Sequence, residues 1–168
     1  RVLQCYMNIG RAYLFIEEFE EAIGYLAEAK QMAEANDPNH RLASIYSFLG
    51  ELHIQTKEDK LAETYLLKAI PLAENNQRFD VLTDTYIRLG GMYYFQKEYR
   101  LAEKYALESL RWNDNEPDLE AEMEIRKMLT LIYEDSNQPT KALNQFKQST
   151  QIKDSLFQSQ KTLTMNRL

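Results

Sequence analysis

YIRLGGMYYFQKEYRLAEKYALES, residues 86–109, decides the fold. Tyr86, Leu89, Gly90 and Tyr93 recur at spacings of three, one and three, which places them on one face of a helix. Ala102 follows Gly90 by twelve residues. Forty positions earlier the same pattern reads Tyr46, Leu49, Gly50, His53 and Ala62, and forty earlier again Tyr6, Ile9, Gly10, Tyr13 and Ala22. Forward of the quoted stretch it is worn but present in Leu129, Thr130, Tyr133 and Ala142. A fixed period of this kind is the signature of a stacked repeat protein.

The residue types give the period a physical cause. A glycine inside an exposed helix costs ~1 kcal/mol against alanine, so three at one phase call for a close helix contact. The alanine twelve positions on offers the matching small surface, and the aromatic four before each glycine is expected to fill space between neighbouring pairs.

This arrangement resembles the tetratricopeptide repeat, whose pattern is an aromatic, Leu-Gly, Tyr, then Ala, a large apolar residue and Ala. The first unit matches with Tyr6, Ile9, Gly10, Tyr13, Ala22, Leu26 and Ala29, the second with Tyr46, Leu49, Gly50, Ala62, Leu66 and Ala69. The third has Ala106 and Ser109 where Leu and Ala belong; the fourth has Arg126 at the aromatic and Thr130 at the glycine, but keeps Leu129, Tyr133, Ala142 and Phe146. The resemblance implies an all-α fold, a right-handed superhelical solenoid of antiparallel helix pairs. The standard repeat is ~34 residues. The longer period here is similar to that of bacterial signalling proteins, among them sensor histidine kinases and helix-turn-helix regulators, and of animal adaptors that bind protein segments.

Four hairpins are expected over 1–38, 39–78, 79–117 and 118–153, with 154–168 a capping helix or the start of a linker. The helices are expected at about 2–16, 19–35, 40–56, 59–75, 79–96, 99–113, 118–135 and 139–153. Asn- and Asp-rich loops at 36–39, 75–77 and 113–117 close the pairs. Pro139 suits a first helical turn. Pro71, inside an expected helix, deprives the Leu67 carbonyl of its partner and predicts a kink or an early end. In the tail, Leu156 and Leu163 stand seven apart on a helical pattern that runs on from Ile152.

The chain has 168 residues, 44% hydrophobic and 27% charged, in keeping with one domain. Twenty basic against twenty-six acidic residues give a net charge of −6 with no basic run, which argues against nucleic-acid binding by this segment. No stretch approaches the ~20 apolar residues of a membrane helix. The sequence begins with Arg1 inside a repeat, as a fragment of a longer protein would; the compartment is open, cytoplasmic or, for a membrane sensor, periplasmic. The single Cys5 is expected to be a small core residue.

Catalytic parts are missing from the pattern. His53 stands where the repeat has tyrosine and is expected to pack as its substitute, while His40 opens a helix. No metal-ligand spacing, P-loop or nucleophile elbow occurs, so no enzyme and no cofactor is expected. The resemblance instead directs attention to the concave side, lined by the first helix of each pair. Residues offset from the core stripe there are Met7, Arg11, Leu14 and Phe15; Phe48, Glu51 and Gln55; Ile87, Arg88, Tyr94 and Phe95; and Lys127 and Leu131. Apolar area with isolated charges suits an amphipathic helix or extended peptide. The carboxylate clamp of chaperone-binding members is not reproduced: Met7, Arg11, Phe48 and Asp84 stand at its other positions and only Arg88 matches. The expectation is a noncatalytic protein- or peptide-binding scaffold, the sensory or interaction region of a larger bacterial regulator. A small-molecule or peptide-pheromone sensor and a homodimerisation module are the alternatives.

Overall fold

The computed structural model describes residues 1–36 and 41–165. The expected loop at 37–39, His40 and the Leu163 side chain lie outside the described residues. Eight α-helices and no strand occur among them: α1 (Val2–Phe15), α2 (Phe19–Asn36), α3 (Leu42–Gln55), α4 (Asp59–Asn75), α5 (Phe79–Phe95), α6 (Tyr99–Asn113), α7 (Leu119–Asp135) and α8 (Pro139–Met165). Each odd-numbered helix packs on the even-numbered helix that follows it, and each pair packs on the next. The odd helices also touch one another, α1 to α3, α3 to α5 and α5 to α7, while no two even helices meet. That asymmetry bends the stack, with the odd helices on its inner side.

The turn inside each pair is the same four times. Glu17, Lys57, Lys97 and Asn137 take φ of 63°, 62°, 63° and 58°, the left-handed conformation that ends a helix. In the first, the Glu17 N–H donates to the Leu14 carbonyl at 3.2 Å and the Glu18 N–H to the Tyr13 carbonyl at 3.0 Å, and the other three repeat both bonds. None of the four is glycine, the residue that adopts this conformation without strain. At the start of α7, Asp118 accepts from the N–H groups of Glu120 at 2.8 Å and Ala121 at 3.1 Å, satisfying two donors that the helix cannot.

Inside each pair the glycine lies against the second helix. A Cβ built on Gly10 would stand 2.8 Å from Leu26 Cγ, and one on Gly50 2.5 Å from Leu66 Cγ and 3.3 Å from the Ala62 carbonyl. The third pair has Ala106 in place of that leucine. There Met128, from α7, fills the space, its sulfur 3.0 Å from a Gly90 Cβ. The small residues flanking the leucine, Ala22 and Ala29, Ala62 and Ala69, are completely buried, as is each leucine. Burying one such leucine contributes about 1.5–3 kcal/mol.

A second repeating contact is aromatic. Tyr6 and Tyr13 both pack on Tyr25, the first tilted at 5.8 Å and the second stacked at 5.4 Å; Tyr86 and Tyr93 stack on Tyr105, at 6.1 and 5.4 Å. In the second pair Tyr46 and His53 flank Tyr65 at 5.8 and 5.4 Å, the imidazole within 7° of parallel. His53 is thus a tyrosine substitute; its Nδ1 lies 2.6 Å from Glu58, a contact that holds the Glu58 carboxyl below its ordinary pKa. The fourth pair replaces the stack by polar bonds, Arg126 donating to Gln145 at 3.0 Å and to Gln148. The rings that precede each glycine therefore pack on a tyrosine within their own pair, rather than only between pairs as expected. Their reach outward is through Tyr46, whose hydroxyl donates to Glu34 at 3.3 Å, and Tyr86, which also packs on the cluster of Ala73, Val81 and Leu82.

Between pairs, the Tyr93 hydroxyl donates to Glu63 and the Tyr133 hydroxyl to Glu103 at 2.9 Å. Burial and the facing carboxylate raise both phenols, Tyr133 to about 12.

Two expectations are corrected. Cys5 is exposed, because it lies on the outer face of α1, which no described helix covers. Pro71 does not end its helix: α4 continues to Asn75. The proline is exposed and the deprived carbonyl belongs to Leu67, 43% exposed, so water is in reach of it. The last helix runs unbroken past the expected end near 153 to Met165.

The glycines provide a graded stability test. Gly50→Ala should cost about 1–3 kcal/mol, since its methyl meets a packed leucine. Gly90→Ala should cost less, because the flexible end of Met128 can withdraw. Gly24→Ala and Gly91→Ala, with nothing within 4 Å, should each stabilise by up to about 1 kcal/mol. Urea unfolding of the four variants checks the order; equal effects at Gly50 and Gly24 would contradict the close-contact account.

Candidate functional site

A concavity of about 1090 Å³ lies across the inner helices α1, α3 and α5. Of the sequence-predicted residues, it brings together Met7, Arg11, Leu14 and Phe15 from α1, Phe48 and Glu51 from α3, and Arg88 from α5. Met7 and Leu14 are buried, each 5% exposed, and serve as floor; Phe15, at 89%, stands free at the rim. Arg11 is exposed and its guanidinium lies over the Phe48 ring at 5.9 Å.

Arg88 is held from both sides. Its Nε and Nη2 donate to Glu51 Oε2 at 3.1 and 2.8 Å, and Nη1 lies 3.5 Å from Asp84 Oδ2. The side chain is only 18% exposed, so it works as a cross-link between α3 and α5 as well as a wall of the groove. The Asp84 side chain is 57% exposed, yet surrounding protein in the concavity raises its carboxyl above the ordinary range, with Arg88 pulling it back. Nearby, Arg78 donates to Asp80 at 2.9 and 2.7 Å, and Arg41 to Gln4 at 3.2 Å.

The other predicted residues fall elsewhere. Ile87 packs against the core, Gln55 and Phe95 are exposed, the latter at 81%, and Leu131 is 46% exposed beyond the groove. The Tyr94 hydroxyl donates to Asp135 at 2.8 Å and ties α5 to α7. Lys127 lines a separate hollow of about 510 Å³ with Met123, Lys153, Leu156 and Phe157, where α8 passes α7. Leu156 also faces a hollow shared with Asp84 and Leu119, so the end of α8 occupies the inner side that α7 would otherwise present. Missed in the sequence were Gln4, Arg41, Arg78 and Asp80. They stand at or before the first turns of the inner helices, one turn ahead of the offsets taken from the repeat pattern.

Among the described residues no group of His, Cys, Asp and Glu is placed to hold a metal ion, and no helix is long and apolar enough to cross a membrane. What the arrangement can do is bind: an apolar floor, two phenylalanines and a set of charges of both signs.

Breaking the cross-link should be measurable in stability. Arg88→Ala should destabilise more than Arg11→Ala, and a double-mutant cycle with Glu51→Ala should give a coupling of about 1 kcal/mol. Zero coupling would show that the pair does not hold α3 to α5.

Comparison with known proteins places the fold. Residues 1–75 match the family model described as tetratricopeptide repeat. The crystal structure of BtubC (BKLC) from P. vanneervenii aligns with a TM-score of 0.78 at 19% identity, over 92% of this chain and 64% of that one. This chain therefore spans just under two thirds of the length of that neighbour. Among curated proteins, none matches the chain in sequence. Residues 1–75 thus match the tetratricopeptide repeat, and the helix pair they form recurs to the end of the described chain.

Proposed function

We propose that the chain is a noncatalytic scaffold whose inner groove receives an amphipathic or extended protein segment. Tetratricopeptide repeats generally mediate protein–protein interaction, and the family is generally noncatalytic. The observation that carries the reading is the groove over α1, α3 and α5, where Phe15 and Phe48 offer apolar area beside Arg11. Arg88, Arg78 and Asp80 are already engaged in ion pairs. Arg11, by contrast, lies over the Phe48 ring with no ion pair among the described residues, and is the cation a partner's carboxylate would meet. An acidic residue flanked by leucine or phenylalanine is thus the recognised pattern, the rings supplying affinity and Arg11 the register.

The parent protein in this reading is a larger bacterial signal-transduction or transcription-regulatory protein. Its support is the long-repeat resemblance alone. The end of α8, resting on the inner side at α7, caps the groove at the fourth pair.

Selection of a displayed random peptide library on the purified protein tests the groove. Selected peptides should carry an acidic residue among apolar ones. Phe48→Ala should weaken them by about 2 kcal/mol, and Arg11→Glu should abolish the acidic preference. Peptides that bind both variants as tightly as the unaltered protein would remove the groove from consideration.

A further inference from the structure

The groove carries charge of opposite sign at opposite corners. Arg11 stands on α1, toward the end of that helix, with its side chain exposed. Asp84 stands on α5 near its start, at the place that Gln4 holds in α1 and Ser44 in α3. Seven residues separate the two places, about 10 Å along a helix, and two inner-helix spacings of about 8–10 Å each lie across. Between the corners the floor is low: Ser44 and Ser47 are small and buried, and Met7 and Val81 line the groove with them.

Asp84 is the carboxylate that its neighbours leave short of a cation. Arg88 gives its hydrogen bonds, at 3.1 and 2.8 Å, to Glu51, and only the longer contact of 3.5 Å to Asp84. Arg78, ahead of the same helix, donates twice to Asp80, and Arg41, ahead of α3, donates to Gln4. Asp84 also lines the next hollow, where Glu116, Asp118 and Glu120 stand at the entry to α7. Surrounding protein first, and then the fields of Asp80 and Glu51, raise its carboxyl above the ordinary range against the pull of Arg88. A cation brought to its exposed side reverses that cost.

We propose that Asp84 reads a basic residue of the bound segment whose acidic residue meets Arg11, so that the segment crosses the groove in one direction. This rests on the groove reading above and adds to it a second charge, a spacing and an orientation. The ammonium or guanidinium head meets the Asp84 carboxylate while its methylene stem lies over Ser44 and Val81. A diagonal of about 20 Å between the two charges corresponds to about six residues of extended chain.

Selection of the displayed random peptide library on the unaltered protein, on Asp84→Asn and on Asp84→Lys tests this, with melting curves to check that the fold is kept. Peptides from the unaltered protein should carry Lys or Arg about six residues from the acidic residue. Those from Asp84→Asn should keep the acidic residue and lose the basic one, and Asp84→Lys should select a second acidic residue in its place. A synthetic copy of a selected peptide should bind Asp84→Asn about tenfold more weakly. Its affinity for the unaltered protein should fall as pH drops through the raised pKa of Asp84, because the protonated carboxyl no longer attracts the cation. A copy with glutamine for its basic residue should bind both proteins alike and weaken only at the lower pH at which its own carboxylate titrates. Acidic enrichment without the basic residue, or a basic residue retained on Asp84→Lys, would overturn the proposal and leave the groove reading standing. Enrichment of neither on the unaltered protein would remove both.

Discussion

The contact between a glycine and the leucine sixteen residues on sets the distance between the helices of a pair, and the remaining geometry follows from it. With the helices this close, the rings on either side of the glycine reach Tyr25, Tyr65 or Tyr105 and pack on them. The alanines beside the leucine then present a smooth surface, on which the next odd helix lies with Leu49, Leu89 or Leu129 fully or nearly buried. Where the leucine is lost, at Ala106, the neighbouring pair lends Met128 and the spacing survives. A solenoid of this kind is stabilised pair by pair and interface by interface, with few contacts of long reach.

From that stacking the inner surface acquires its character. The odd helices touch one another along the inside, so residues about forty apart in sequence come side by side, and polar groups meet across pairs: Arg88 with Glu51, Tyr94 with Asp135. The groove between α1 and α5 is thus braced by ion pairs and floored by Met7 and Leu14, with Arg11 lying over the Phe48 ring and Phe15 at the rim. The outer face of α1 carries exposed Val2 and Ile9 at positions that are buried in the pairs that follow.

The period, the glycine contact and the helix limits as far as the start of α8 were legible in the sequence because each rests on residues within one forty-residue unit. The tyrosine on the second helix at positions 25, 65 and 105 repeats with the same period, and it could have been found by asking what the two inner-face aromatics stack against. The left-handed turns were hidden because Glu17, Lys57 and Lys97 stand where a glycine would have announced them. Cys5, set among apolar residues near a helix start, was expected in the core, but no described helix covers its side of α1. The candidate site was legible only in half. Helix phase identifies Arg11, Phe48 and Arg88 as inward, but pairing between Arg88 and Glu51 depends on the offset of neighbouring pairs, which no single helix encodes. Lys127 left the groove because the end of α8 comes to lie beside it.

If the stack is built from interchangeable units, one can be removed. Deleting residues 50–89 joins Leu49 to Gly90 in register and leaves three pairs. Circular dichroism of this shortened chain is the most direct test. The account predicts a cooperative melt with helical content per residue unchanged, at a lower melting temperature; a chain that loses its helices or melts without cooperativity would contradict it.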